Sequence, residues 1–423
     1  MALQNLAKHS QDLIDFIAAS PSSYHAAFNV GQRCLELGFQ PQDETKPWDA
    51  RPGGHFLIRS GAVVAWYIPP TAGPQSAFRI IGSHTDSPGL MVKPQPEFSQ
   101  AGFQQLAVEV YGGPILHSWF DRELTVAGQL VLHDGSTRLA NTGPVGRIPN
   151  LAIHLYRQDE FTADRQTHLQ PVLCTTAKNG SFMQLVADSA GVSPTDIAAF
   201  NLITADAQRG EIFGAKSEFL AAGRLDNLSS VFASLEALSL AVADYEGQNI
   251  LVMAAFDHEE VGSASRTGAG GPLLSDVLQR TARALGADEE QRYQMLARSS
   301  CVSADAAHSV HPNYSAKHDP THHPVLGGGV VLKINANQRY ASEATTAAIW
   351  RKACAEAAVP VQDFVSNNAV PCGSTIGPIT ATRLGIPTVD VGVPLLSMHS
   401  AREMLALQDE LWFSQALHAY LLS

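Results

Sequence analysis

Five apolar segments of the sequence each run into a histidine or a carboxylate at the point where the predicted strand ends. In open α/β sheets, ligands bind just outside the carboxyl ends of the strands. We therefore expect the five side chains to meet at one edge of a sheet, where they could hold metal ions. The five residues are His84, Asp226, Glu260, Asp305 and His399.

The first of these segments, residues 77–84, ends in His84-Thr85-Asp86. Residues two apart lie on one face of an extended chain. Asp86 could therefore hold the second ring N–H of a metal-bound His84 and fix its tautomer, a supporting catalytic role. The alternative is a hydrogen-bonded histidine at a strand end, followed by an aspartate that forms a turn. For the His-x-Asp pattern alone this alternative is favoured, because short motifs often match by chance.

The adjacent acids Glu259 and Glu260 follow the apolar run LVMAAF and one Asp-His pair. Two neighbouring carboxylates repel each other and are costly to desolvate unless a cation or a proton lies between them. In a loop they point in different directions, so one could bind metal while the other faces a reacting water. The alternative is an exposed acidic turn.

The other three residues are less specific when each is taken singly. Asp226 precedes a long predicted helix and could be its N-cap, a role that does not conflict with metal binding. Asp305 and His399 would each be unremarkable alone.

Taken together, two histidines and three carboxylates without a cysteine form a ligand set suited to Zn²⁺, Mn²⁺ or Co²⁺. Two divalent ions with a bridging hydroxide would neutralise the three carboxylates, whereas one ion would leave buried negative charge. Such a pair activates water for hydrolysis, and Glu259 would remain free to act as a general base. A serine or cysteine nucleophile fits less well, because there is no GxSxG motif and Cys301 lies inside an apolar strand as a core residue would.

The elements around these residues predict an α/β fold. Strands and helices alternate after residue 217, and the last segment, residues 400–422, is predicted as an amphipathic helix. This alternation is typical of an α/β/α sandwich around a mostly parallel sheet. Nearer the start, helices are predicted over residues 8–19 and 24–38, and a hairpin around Ser60-Gly61.

Residues 90–216 differ from the rest of the chain in their sequence pattern. They contain short β-rich pieces separated by Gly, Pro and Asn, which is typical of an antiparallel β module. We therefore predict a discontinuous catalytic domain of residues 1–89 and 217–423, interrupted by a β-rich inserted domain of residues 90–216.

The composition limits the class of partner. A hydrophobic content of 45% with 16% charged residues indicates a folded domain with a substantial core. The net charge of −12 argues against nucleic acid and anionic membranes as partners. Five widely spaced cysteines without a CxxC pair favour free thiols in a reducing compartment. With no signal-peptide core and no membrane-spanning apolar run, the sequence predicts a cytoplasmic protein.

The motifs that contain the candidate residues resemble those of the aspartyl aminopeptidase family, in its bacterial form. The match runs in order from about residue 10 to residue 420. The matching stretches are SHTDSP (83–88), GRLDN (223–227), DHEEVGS (257–263), SADAAH (303–308), HPNY (311–314), KINANQRY (333–340), CGSTIGP (372–378) and SMHSARE (397–403).

This resemblance implies a three-layer α/β/α zinc-peptidase catalytic domain, phosphorylase/hydrolase-like in fold, with two metal ions. Zinc is the expected metal, with Co²⁺ or Mn²⁺ as alternatives. One ion would be bound by His84 and Asp305, and the other by Glu260 and His399. The carboxylate of Asp226 would bridge both ions, and Glu259 would be the catalytic base.

The resemblance also implies a substrate class and an assembly. The family removes N-terminal Asp or Glu from peptides, and by position Lys333 and Tyr340 would meet the acidic side chain, with His308 nearby. The β-rich insert would be a dimerisation domain, and dimers would assemble into a tetrahedral dodecamer. From the sequence alone, however, Lys333 is more simply a strand-edge lysine that extends into solvent.

Further histidines outside this ligand set have weaker assignments. By resemblance, His154 would reach the active site of a neighbouring subunit and bind substrate there. A role for His154 as a metal ligand is less favoured, since five ligands already satisfy two ions with room for water. The tract containing His318, His322 and His323 is predicted to be a loop, because a His-rich tract without strand-end placement is weak evidence for metal.

Two other functions stay open at this stage. The first is a related two-metal hydrolase with another substrate, such as a leucine-type aminopeptidase or a deacylase. The second is a non-enzymatic scaffold that retains the oligomer, which is disfavoured because every position needed for the chemistry is intact.

Overall fold

The secondary structure is described for residues 5–157, 160–176, 180–243 and 245–423 of a computed structural model. The helices are α1 (Leu6–Ala19), α2 (Ser23–Glu36), α3 (Phe182–Ala190), α4 (Leu225–Ala241), α5 (Leu273–Ala284), α6 (Glu289–Arg298), α7 (Ala344–Glu356), α8 (Ile376–Leu384) and α9 (Leu407–Leu422). The strands are β1 (Gln40–Pro41), β2 (Gly53–Arg59), β3 (Ala62–Ile68), β4 (Phe78–His84), β5 (Gly89–Gln100), β6 (Phe103–Tyr111), β7 (Glu123–Leu132), β8 (Thr137–Arg147), β9 (Val172–Thr175), β10 (Ile197–Asp206), β11 (Glu211–Phe213), β12 (Phe219–Ala222), β13 (Ile250–Phe256), β14 (Ser300–Ala304), β15 (Ala307–His308), β16 (Val330–Ile334), β17 (Val361–Val365), β18 (Thr388–Gly392), β19 (Pro394–Leu395) and β20 (Glu403–Ala406).

A nine-stranded sheet, in the order β1-β2-β3-β13-β4-β14-β18-β16-β17, forms the centre of the molecule. Its middle strands β13, β4, β14 and β18 are parallel, whereas β3 and β16 run antiparallel to their neighbours β13 and β18. All seven residues of β13 are buried, as expected for a parallel strand covered on both faces. The predicted α/β class with a mostly parallel centre is confirmed.

Helices cover both faces of this sheet and give three layers. Along β13, Leu251 and Met253 belong to one apolar core, which also holds residues of α1, α2, α4, α7 and α9. The alternate residues Val252 and Ala254 belong to the opposite core, shared with α5 and α8. Because side chains alternate across a strand, one continuous apolar sequence fills both cores. The predicted α/β/α sandwich is therefore confirmed.

The β-rich segment forms a closed barrel, in the order β10-β5-β6-β9-β8-β7. Alternate residues of its strands, such as Leu124 and Val126 of β7, fill a separate core on which α3 packs. The barrel strands lie between Gly89 and Asp206. The short strand β11 pairs with β12, which lies beyond residue 216. The structure thus contains the expected β-rich insert, while its boundary at residue 216 stays a prediction.

The C-terminal helix begins later than the sequence pattern predicts. Residues 403–406 form β20, which pairs with β12, and α9 starts only at Leu407. The prediction of one amphipathic helix from residue 400 was therefore wrong. The reason is the buried carboxylate of Glu403, which accepts hydrogen bonds from the backbone N–H groups of Asp226 and His399 and keeps its segment extended.

Two other expectations concern the cysteines and membranes. All five cysteines are free thiols, and Cys301 is a core residue with 2% of its surface exposed. Among the described residues, no helix is both long and apolar enough to cross a lipid bilayer.

Candidate metal centre

Three neighbouring strands of the central sheet deliver part of the candidate site. His84 is the last residue of β4 and pairs in register with Phe256, the last residue of β13. The turn with Glu259 and Glu260 follows β13, and Asp305 follows β14. Because these strands are parallel and hydrogen-bonded to one another, their ends bring a histidine and three carboxylates to one edge of the sheet.

The other two candidate ligands reach this edge from outside the central sheet. Asp226 follows β12, which belongs to a separate three-stranded sheet with β11 and β20. His399 lies in a loop between β19 and β20, with a left-handed backbone (φ 67°). The expectation that five strands of one sheet carry the five residues is thus corrected, although the five side chains do converge.

The carboxylate of Asp226 lies at the middle of the cluster, with one oxygen toward each histidine. Its Oδ1 is 3.3 Å from His84 Nε2, and its Oδ2 is 3.4 Å from His399 Nε2. After Asp226, the carboxylate nearest to His84 Nε2 is that of Asp305, at 3.6 Å. Beside His399, it is Glu260, at 3.4 Å. The side chains therefore divide into two groups, each with one histidine and one carboxylate, that share Asp226.

Two carboxylate oxygens of this cluster are buried without a hydrogen bond. Asp226 Oδ1 and Glu260 Oε1 have no hydrogen-bond partner within the described part of the chain. Burial raises the pKa of Glu259 to about 7 and, together with the charge of Asp226, that of Glu260 well above its usual value. Ligand atoms of His84, Asp226 and Glu260 lie within 4.8 Å of one another. Buried carboxylates without donors are stabilised by cations, so these residues fit divalent metal ions.

Each histidine ring is oriented by a backbone carbonyl. His84 Nδ1 is 3.0 Å from the backbone oxygen of Asp86, and His399 Nδ1 is 3.1 Å from that of Gly113. A carbonyl can only accept, so Nδ1 carries a proton in both rings, and Nε2 is the ring nitrogen of each histidine that faces the carboxylates and is placed to bind a metal ion.

The role expected for Asp86 differs in detail. Its carboxylate Oδ1 is 3.4 Å from His84 Nδ1, farther than its own backbone oxygen. Donors closer to the carboxylate than His84 include the backbone N–H of Glu259, at 3.0 Å, and that of Glu260, at 3.1 Å. The side chain of Asp86 therefore holds the turn with the two glutamates, and its backbone holds the histidine ring.

The two adjacent glutamates have different surroundings, as the sequence suggested. The Glu260 side chain is 4% exposed and faces His399. The Glu259 side chain is 16% exposed, and its Oε2 is 4.0 Å from His84 Nε2. Glu259 is thus the glutamate that faces open space next to the cluster.

Lys333 is buried beside the cluster and does not extend into solvent. It is 2% exposed in β16, its Nζ donates to the backbone oxygen of Ala306 at 2.9 Å, and it is 3.8 Å from Asp305 Oδ2. The same Nζ lies 5.3 Å from the ring centre of Tyr340. The simple interpretation of Lys333 as a solvent-exposed strand-edge lysine is wrong, because β16 is covered on both sides within the sheet.

His308 and His154 lie in different surroundings. His308 is in β15, and its ring is exposed and 5.9 Å from that of Phe364, which also packs against Tyr340. His154 is in an exposed turn of the insert. Within the described residues, no hydrogen bond or ion pair joins His154 to the cluster of its own chain.

The His-rich tract forms local loop contacts. His322 Nδ1 is 3.1 Å from Asp319 Oδ1, His323 Nδ1 is 2.7 Å from the backbone oxygen of Asp319, and His318 accepts from the backbone of His311. These histidines hold a loop together, as the sequence predicted.

Sequence reasoning missed two residues that support the cluster. Glu403 is 2% exposed and binds the backbone N–H groups of Asp226 and His399. Tyr111 donates its hydroxyl to Asp86 at 2.8 Å. Proximity to His399 in the motif SMHSARE could have suggested Glu403. Tyr111 ends a β strand of the insert, and nothing in its sequence context marks it.

Comparison with known proteins decides the family. A model described as aminopeptidase I zinc metalloprotease (M18) matches residues 16–421. The chain belongs to the M18 family. A curated relative, the probable M18 family aminopeptidase 2 of Streptomyces avermitilis, is 49% identical over 420 residues, which cover 98% of this chain and 97% of the relative.

Solved structures of M18 proteins have the same fold. The match to Ape4, from the Ape4 and Nbr1 complex, has a TM-score of 0.93 at 34% identity, covering all of this chain and 88% of that one. The match to the S. cerevisiae mApe1 dodecamer has a TM-score of 0.86 at 27% identity, covering 97% of this chain and 95% of that one. The resemblance seen in the sequence is thereby confirmed: the protein is an M18 aminopeptidase, a metalloprotease hydrolase with the zinc-peptidase fold.

Proposed function

We propose that this M18 aminopeptidase uses two divalent metal ions, with zinc as the expected metal, to remove N-terminal Asp or Glu from peptides. The observation that carries the proposal is the central position of Asp226, whose two oxygens face two separate histidine-carboxylate groups. A single metal ion would need only one of these groups. Two ions sharing Asp226 would use both and would neutralise the buried carboxylates.

In this proposal His84 and Asp305 hold one ion, Glu260 and His399 hold the other, and Asp226 bridges them. Each histidine would bind through Nε2, the ring nitrogen that faces the carboxylates, while Nδ1 is held by a backbone carbonyl. When bound, such ions polarise the scissile carbonyl and lower the pKa of a water molecule.

Glu259 would act as the general base and then as the general acid. Its carboxylate is the more exposed of the two glutamates and lies at the His84 side of the cluster. From there it can take a proton from the attacking water and give it to the leaving amine. Asp86 would support this step by holding the backbone of Glu259 in place.

The proposed preference for acidic N-terminal residues depends on a buried cation. Lys333 lies next to Asp305 and Tyr340, in a protein of net charge −12 that otherwise disfavours acidic substrates. A desolvated lysine attracts a carboxylate more strongly than an exposed one does. His308, exposed nearby, would form part of the same subsite with Tyr340.

Substrate profiling tests this preference against the leucine-type alternative. For wild-type enzyme with defined metal content, we expect Asp- and Glu-peptides to be cleaved with a kcat/KM at least about tenfold above that of Leu-peptides. Lys333→Met is expected to lower kcat/KM for the acidic peptides by about 10–100-fold, the scale of one lost charge-assisted bond. The same substitution should lower kcat/KM for Leu-peptides less.

A matched control is Lys352→Met, which removes an exposed lysine of α7. This variant should leave the ratio of kcat/KM for acidic peptides to kcat/KM for Leu-peptides unchanged. Metal content is measured for each variant, because Lys333 adjoins Asp305. Fast cleavage of Leu-peptides without cleavage of Asp- or Glu-peptides by wild-type enzyme would overturn the acidic preference and favour a leucine-type aminopeptidase.

The insert is proposed to form a subunit contact in a homo-oligomer, with dimers that assemble into a dodecamer. Its exposed turn carries apolar side chains on both sides of His154: Ile153 is 64% exposed and Leu155 is 75% exposed. Exposed apolar groups of this kind mark interfaces. In such a dimer His154 would enter the partner's active site and bind substrate.

Co-assembly of two inactive variants tests this sharing of residues. Glu259→Gln and His154→Ala are each expected to have low activity alone. When the two variants are co-expressed with different tags, each mixed dimer should regain one working site of its two. Random pairing makes about half of the dimers mixed, so the whole population should have about a quarter of wild-type activity. No recovery in purified mixed oligomers would show that His154 acts within its own chain or not at all.

A further inference from the structure

A short segment of the insert, residues 111–118, lies directly on the proposed metal centre; we name it the strap. It leaves the barrel at the end of β6 and ends in a 3-10 helix, Leu116–Trp119. It contacts both sides of the centre, through Asp86 on one side and through the loop of His399 on the other. The five candidate ligands all lie outside the insert, so these contacts link the insert directly to the loops that carry the ligands.

On the first side, the strap acts on the turn with the two glutamates. The hydroxyl of Tyr111 donates to Asp86 Oδ2 at 2.8 Å. The same carboxylate accepts the backbone N–H groups of Glu259 and Glu260. Tyr111 therefore donates from its side chain to the carboxylate that holds the backbone of both glutamates.

On the second side, the strap holds the loop of His399 by three hydrogen bonds. The Gly113 carbonyl lies 3.1 Å from His399 Nδ1, and the Ile115 N–H donates to the His399 carbonyl at 2.8 Å. Ser118 Oγ accepts the N–H of Ala401 at 2.9 Å. These bonds fix both the position and the rotation of the imidazole ring.

Close approach between the strap and the glutamate turn requires glycine at one position. Gly112 has φ +69°, and a Cβ there would lie 3.1 Å from Glu260 Cβ. Any larger residue would be strained in this conformation and would push the strap away from Glu260.

We propose that the strap is a positioning element of the metal centre, with Tyr111 acting through Asp86 on Glu259 and Glu260. This inference rests on the proposed two-metal function, since it assigns the strap to the support of those ligands. The insert would then have a second task besides subunit contact: it completes the support of the ligands in its own chain. Partners that orient metal ligands in this way typically change metal affinity by 10–100-fold when they are removed.

The test compares Tyr111→Phe with Tyr24→Phe in the full chain. Tyr24 lines the same cavity as Tyr111 and Asp86 but is hydrogen-bonded to Asn201. Co²⁺ affinity is measured by competition with a chromophoric chelator, and the visible spectrum of the Co²⁺ form reports ligand geometry. Tyr111→Phe is expected to bind Co²⁺ about 10–100-fold more weakly, with a shifted spectrum and kcat lowered more than KM is changed. Tyr24→Phe should match wild type.

The possible results separate the two proposals. Wild-type protein that binds no Co²⁺ would overturn the proposed function itself. If wild-type protein binds two Co²⁺ ions and Tyr111→Phe binds them with the same affinity and the same spectrum, only the role of the strap is overturned. If Tyr111→Phe does not fold, Ser118→Ala decides, because it removes the acceptor of the Ala401 N–H and, within the strap itself, the donor to the Ile115 carbonyl. Unchanged Co²⁺ affinity and spectrum in Ser118→Ala would then overturn the inference.

Discussion

Replacing Glu259 with glutamine is expected to lower kcat by about 10²–10⁴-fold while both metal ions stay bound. The reason is that Glu259 faces the open side of the cluster and, in the proposed division of roles, moves protons without holding metal. Glutamine keeps the size of the side chain but cannot accept a proton from water. The measurements are kcat on a peptide with N-terminal Asp and metal content after dialysis.

The neighbouring variant Glu260→Gln is the informative comparison. Its carboxylate is almost fully buried beside His399, so this change is expected to weaken metal binding first and activity as a consequence. If Glu259→Gln loses metal while Glu260→Gln keeps it, the base and the ligand have been assigned the wrong way round.

Replacing Asp226 with alanine is expected to remove both metal ions together. Its two oxygens lie 3.3 and 3.4 Å from the two histidine Nε2 atoms, so one substitution removes a ligand from each proposed site. Hydrolysis should fall to background. The gain in stability on adding metal should also be lost; for wild type this gain is about 2.7 kcal/mol at a metal concentration of 100 Kd.

Metal content by mass spectrometry and thermal unfolding with and without Zn²⁺ check this expectation. Asp409→Asn is a suitable control: Asp409 is also buried, but it binds the backbone N–H groups of Gly327 and Gly329. An Asp226→Ala protein that keeps one tightly bound ion would show that Asp226 serves a single metal, and the two-metal arrangement would have to be revised.

The parts of the site that the sequence predicts best are those at the ends of apolar strands. His84 ends a buried strand of the central sheet, Glu260 and Asp305 follow two others, and parallel pairing alone brings such ends together. Asp226 and His399 could be selected by residue type and motif. Their route to the site, through a small second sheet and a left-handed loop, depends on contacts that leave no periodic pattern in the sequence.

The supporting contacts were much harder to predict. Lys333 has the sequence surroundings of an exposed strand lysine, and only the pairing of β16 with both β17 and β18 shows that it is buried. The carbonyl that orients His399 belongs to Gly113, and a backbone oxygen has no sequence signature. Tyr111 looks like any aromatic residue of a β strand, because its partner Asp86 belongs to the other part of the chain.

The central sheet also sets the timing of folding during synthesis. Strand β4 ends at His84, but its neighbours β13 and β14 begin only at Ile250 and Ser300. At ribosomal speed the chain between β4 and β13 takes roughly ten to thirty seconds to make. In that interval the barrel can form, because all its strands have been synthesised before β13. Strand β4 stays unpaired on the edges that later bind β13 and β14, and its apolar edge could pair with other nascent chains. Production of this protein is therefore expected to depend on chaperones and on the rate of translation.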